Sequence, residues 1–127
     1  MTDSAAAHHV VVIDDYDAHL DVLVTYLRRA GYEAIGFTRP HDALDHLLER
    51  TSSLVVVNLY MPEMDGIEVS RRLQARHPGL PLIGITGSRD ERAAIYLRLL
   101  QEFGAKACLR KPVDGPTFIG AVRDALA

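Results

Sequence analysis

The chain is predicted to be an α/β domain: a five-stranded parallel sheet in the order 2-1-3-4-5, covered on both faces in a three-layer (βα)5 sandwich. Three observations predict it. Short β-branched runs alternate strictly with longer amphipathic stretches, five of each. At 127 residues and 48% hydrophobic side chains, the chain can bury one sizeable core. Right-handed crossovers leave few arrangements for five such units, and 2-1-3-4-5 is a common one.

Val10-Val11-Val12-Ile13 reads as the first buried strand. Leu20, Leu23, Val24 and Leu27 recur at helical spacing and mark one face of the first helix, which Gly31 terminates. Residues 33–37 form a weaker second strand. Pro40 suits the first turn of the second helix, where a missing N–H costs nothing, and Ala43, Leu44, Leu47 and Leu48 turn that helix inward. Residues 54–59 read as the third strand and 65–77 as the third helix, stopped by Pro78-Gly79. The fourth strand spans 82–86, the fourth helix 89–103 with Gly104 behind it, and the fifth strand 106–109. Asp114 caps the last helix, with Pro116 in its first turn. Residues 1–8 are expected to be a disordered lead-in and 9–127 the folded domain. With Ala127 directly behind the fifth helix, no output domain is expected in this chain.

Composition excludes several classes. The net charge is −3 with no run of basic residues, which argues against direct nucleic-acid binding. No apolar run approaches the length of a membrane span, and the N-terminus lacks the basic and apolar regions of a signal peptide. A lone cysteine, Cys108, cannot make an internal disulfide and fits a reducing, cytoplasmic setting.

In open α/β sheets, ligands bind beyond the carboxyl ends of the strands. Asp14 and Asp15 follow the first strand, Asn58 ends the third, Thr86 ends the fourth and Lys111 follows the fifth. Each has a plainer reading: a strand-end turn or helix cap for the aspartates, a β-branched strand residue for Thr86, a solvated charge for Lys111. Their joint placement on one edge favours a site. Adjacent carboxylates with a further polar oxygen suit Mg2+, which prefers oxygen ligands. A carboxylate at position 58 could attack a phosphodonor, while Lys111 neutralised the transferred group and the Thr86 hydroxyl bonded one of its oxygens. Asn58 presents an amide there, and an amide cannot form an acyl phosphate.

These residues, together with Met61-Pro62-Glu63-Met64-Asp65-Gly66, Gly104-Ala105 and Lys111-Pro112, resemble the receiver domains of bacterial two-component response regulators. The resemblance covers residues 9–126. It implies that Asp14, Asp15, the position of Asn58 and the backbone carbonyl of Tyr60 hold the metal, that Thr86 is the switch hydroxyl, and that Lys111 contacts phosphate. It also implies that the Lys111-Pro112 bond is often cis. The implied partners are a sensor histidine kinase or phosphotransfer protein, and a downstream protein met through the fourth helix, fifth strand and fifth helix. Two positions depart from the pattern. Asn58 stands where the family phosphorylates an aspartate, so Mg2+ binding is expected to be weak and phosphorylation absent. Cys108 stands where an aromatic usually follows the switch hydroxyl; it reads as a small, unreactive apolar residue. Asn58 fits two origins, a naturally phosphorylation-independent pseudo-receiver or an engineered exchange, and both lead to the same physics.

The fourth helix carries Ala93, Ala94, Ile95, Tyr96, Leu97, Leu99, Leu100 and Phe103, more than one face can bury, which points to a partner or homodimer surface. Two other classes compete with a signalling module. A small phosphatase would need a carboxylate at position 58 and a substrate cap. A flavodoxin-like FMN carrier would need a hydroxyl-rich loop where Asp14-Asp15 would repel phosphate, and its preparation would be yellow.

Overall fold

The computed structural model describes residues 8–87 and 91–127. Among the described residues ten elements alternate: β1 (His9–Ile13), α1 (Asp17–Arg29), β2 (Glu33–Phe37), α2 (Pro40–Glu49), β3 (Leu54–Asn58), α3 (Gly66–Arg76), β4 (Leu82–Thr86), α4 (Glu91–Glu102), β5 (Ala105–Arg110) and α5 (Gly115–Leu126). The strands form one parallel sheet in the expected order, β2-β1-β3-β4-β5. The expected start of the fourth helix at Arg89 and the lead-in through Ala7 lie outside the described residues.

Two apolar layers hold the sheet. On one face Val10, Val12, Leu54, Val56, Ile83 and Ile85 meet Leu20, Leu23 and Leu27 of α1 and Phe118 and Val122 of α5. On the other, Val11, Ile13, Val55, Val57 and Leu82 meet Ala43 and Leu47 of α2 and Val69 and Leu73 of α3. Between their polar end residues the central strands are near-continuous apolar runs because both faces are covered, the signature of a buried parallel sheet. Each large side chain so buried contributes about 1.5–3 kcal/mol from its removal from water. Leu48 is a correction to the sequence reading. It is 52% exposed, because it sits one residue beyond Leu47 and the helix carries it off the buried stripe.

Helix ends follow local chemistry. The side chains of Asp65 and Asp114 accept from the backbone N–H groups of Glu68 and Thr117, capping α3 and α5. Gly31, just past α1, takes φ of 95°, a left-handed conformation that favours glycine. Among the described residues, no helix is long and apolar enough to cross a membrane.

Candidate functional site

The site is built where four strands of the sheet end. In the register, Ile13 lies beside Val57 and Asn58 beside Ile85, so the residues that follow β1 and close β3 emerge side by side. The backbone ties these ends together. Asp14 N donates to Phe37 O at 3.1 Å, Leu59 N to Ile85 O at 2.7 Å, and Lys111 N to Thr86 O at 2.8 Å. The Lys111-Pro112 peptide is cis.

Asp14 is fully buried. Its Oδ1 accepts from the backbone N–H of Tyr16 at 3.0 Å, a local turn that also fixes the entry to α1. Its Oδ2 faces two cationic or donor groups, Lys111 Nζ at 3.3 Å and His19 Nδ1 at 2.5 Å. A carboxylate removed from water requires such partners. Asp15 is exposed, and its Oδ1 accepts from Asn58 Nδ2 at 3.0 Å.

Asn58 uses both protons of its amide. Nδ2 donates to Asp15 Oδ1 and, at 2.8 Å, to the backbone carbonyl of Tyr60. Reversing the amide would set its oxygen against two other acceptors, so the hydrogen-bond network fixes this orientation. Asn58 is 7% exposed and Thr86 is fully buried.

Two linked sets result: the Asn58 amide joins Asp15 and the Tyr60 carbonyl, while Asp14 Oδ2 joins Lys111 and His19. Asp14 and Asp15 are chain neighbours, and Thr86 meets the second set through its backbone carbonyl. Cys108, on β5, stands apart from that cluster and is half-buried. Its Sγ lies 3.9 Å from Leu97 O, and burial raises the thiol pKa above its ordinary value, which keeps it protonated and unreactive. Sequence reasoning missed His19. Its partnership with Asp14 depends on how α1 is rotated over the sheet, and a spacing of five residues gives no signal of that.

Polar groups gathered on the carboxyl edge of a parallel 2-1-3-4-5 sheet are the arrangement of a signalling receiver. The profile of the response regulator receiver domain matches residues 10–123. The chain belongs to that family. It is 30% identical over 118 residues to the transcriptional regulatory protein ZraR of Salmonella typhimurium, covering 93% of this chain and 26% of that protein. It is 29% identical over 122 residues to the transcriptional regulatory protein GltR of Pseudomonas aeruginosa, covering 94% and 49%. The chain therefore spans between a quarter and a half of the length of these relatives. A response regulator receiver domain from Clostridium thermocellum superposes with a TM-score of 0.84 at 26% identity, covering 94% of both chains. Receiver domains are signalling modules that generally bind Mg2+ at an acidic pocket and interact with histidine kinases or phosphotransfer proteins.

Proposed function

We propose that this chain is a receiver that signals through protein contacts, and that Asn58 stands at the phosphoacceptor position and keeps it unphosphorylated. The observation that carries the reading is the double donation from Asn58 Nδ2 to Asp15 Oδ1 and Tyr60 O. In the proposed assignment these are two of the groups that would hold a divalent cation. The amide N–H pair takes the cation's place with partial positive charge of its own. Asp14 Oδ2 is engaged by Lys111 and His19 in the same way. The donor set fits Mg2+ poorly: its oxygens already serve N–H donors, and position 58 supplies no charge.

In this reading Asp14, Asp15, Asn58 and the Tyr60 carbonyl are the metal positions, Thr86 the switch hydroxyl and Lys111 the phosphate partner. Cys108 takes the place of the switch aromatic. The upstream partner is a histidine kinase or phosphotransfer protein, and the downstream one is met through α4, β5 and α5. Ile95 of α4, 61% exposed, gives that face an apolar contact, and a second copy of the chain competes for it.

Intact-mass measurement after exposure to a small acyl phosphate with Mg2+ tests the reading. The chain as it stands is expected to gain no mass, and Asn58→Asp to gain one phosphoryl group. A phosphoryl adduct on the Asn58 form would overturn the assignment of the acceptor.

A further inference from the structure

At the opposite edge of the sheet two imidazoles face one another. His9 opens β1, and His46 projects from the last turn of α2. Their Nε2 atoms are 3.5 Å apart, with ring planes tilted by 47°. Two nitrogens bound to one tetrahedral Zn2+ at about 2.0–2.1 Å each lie about 3.3 Å from one another. The observed separation is therefore close to one edge of such a site. Rotation about the soft final torsion of either ring brings both lone pairs onto a single ion.

The other face of His9 completes the pattern. Its Nδ1 lies 3.3 Å from Glu33 Oε1, and Glu33 is the register partner of His9 across the β1–β2 ladder. At that distance the two groups are in ion-pair contact without hydrogen-bond geometry, and the buried Nδ1 has no hydrogen-bond partner among the described residues. A turn of the ring toward Glu33 would give the carboxylate–histidine arrangement that leaves Nε2 for a metal and raises its basicity. Arg50 Nη2, 2.5 Å from the same oxygen, holds Glu33 in place. The Phe37 ring, 5.2 Å from His46 between centroids, bounds the pair on an apolar side.

We propose that His9 and His46 form a two-histidine site for a transition-metal ion such as Zn2+, with Glu33 behind His9 and solvent in the remaining positions. Among the described residues no third His, Cys, Asp or Glu joins the pair, so the site is open and its affinity lies below that of a four-ligand structural centre. The ligand type separates it from the acidic cluster. Imidazole nitrogen suits Zn2+, Cu2+ and Ni2+, whereas Mg2+ seeks oxygen.

The test is calorimetric titration with Zn2+ in buffer containing excess Mg2+, run beside His19→Gln, which removes the imidazole found at the acidic cluster and is expected to leave the binding unchanged. One saturable equivalent is expected. His46→Gln is expected to abolish it, and Glu33→Gln to weaken it about tenfold, the usual effect of removing such a carboxylate. His41→Gln, an exposed residue of the same helix, is expected to change nothing. The Nε2 resonances of His9 and His46 are expected to move together at the same equivalence point, while circular dichroism checks that each variant is folded. Absence of saturable binding, or a folded His46→Gln protein that binds as tightly as the parent, would overturn the site.

Discussion

Replacing an aspartate by asparagine exchanges a charged oxygen for two N–H donors, and at Asn58 both donors are used. Restoring the acid removes those bonds and sets a third carboxylate beside Asp14 and Asp15, where like charges oppose ionisation. Asn58→Asp is therefore expected to unfold more easily in chelator, by about 1–3 kcal/mol, and to recover with Mg2+. Urea unfolding with and without Mg2+ reads this, and equal or greater stability of the Asp form in chelator would contradict it. His9 gives a second expectation. Burial, then the charge of Arg50, holds its pKa below the ordinary 6.5 against the opposing pull of Glu33. The unfolded chain binds the proton more readily, so stability from this residue is intact above pH 6.5 and falls as pH drops toward the folded pKa. Urea midpoints between about pH 7.5 and pH 5.5 are expected to decline, less steeply in His9→Gln. Asp14, Asp15, Asn58, Thr86 and Lys111 were legible in the sequence because strand ends fix them. His19 and the His9–His46 pair were not, since each contact crosses between elements with no characteristic spacing.

Strands β1, β3 and β4 were legible as uninterrupted apolar runs because the sheet is covered on both faces. Helix limits were legible where a cap exists. Asp65 and Asp114 ended up as the N-caps of α3 and α5, and Asp65→Ala is expected to cost about 1 kcal/mol in urea unfolding. The fourth helix was harder to read, because its apolar residues encircle it. Leu100 is fully buried while Ile95 is 61% exposed, a division that hydrophobicity alone does not reveal. Gly66 joins element to site. A Cβ there would lie 2.8 Å from Asn58 O and 3.0 Å from the Cα of Leu59, so only glycine lets α3 start this close to β3. Gly66→Ala is expected to destabilise by about 1–3 kcal/mol and to shift the Asn58 amide resonances. Unchanged resonances in that variant would show that the close approach does not set the position of residue 58.

The whole molecule is one sheet with chemistry at both edges. Parallel strands send Asp14, Asn58, Thr86 and Lys111 to the carboxyl edge and leave His9 at the other, so the proposed oxygen-ligand and nitrogen-ligand positions lie at opposite edges of the sheet. The Asn58 amide is proposed to stand in for a divalent cation. A unit charge about 4 Å from another is worth about 4 kcal/mol at an effective dielectric of about 20, and a third of that is already about tenfold in affinity. Mg2+ titration followed through the side-chain amide resonances of Asn58, beside the same titration of Asn58→Asp, tests it most directly. Binding to the Asn58 protein is expected to be at least about tenfold weaker than to the Asp form, with the amide protons holding their bonded positions at low millimolar Mg2+. Equal affinity in the two proteins, with the amide protons released as Mg2+ enters, would contradict it.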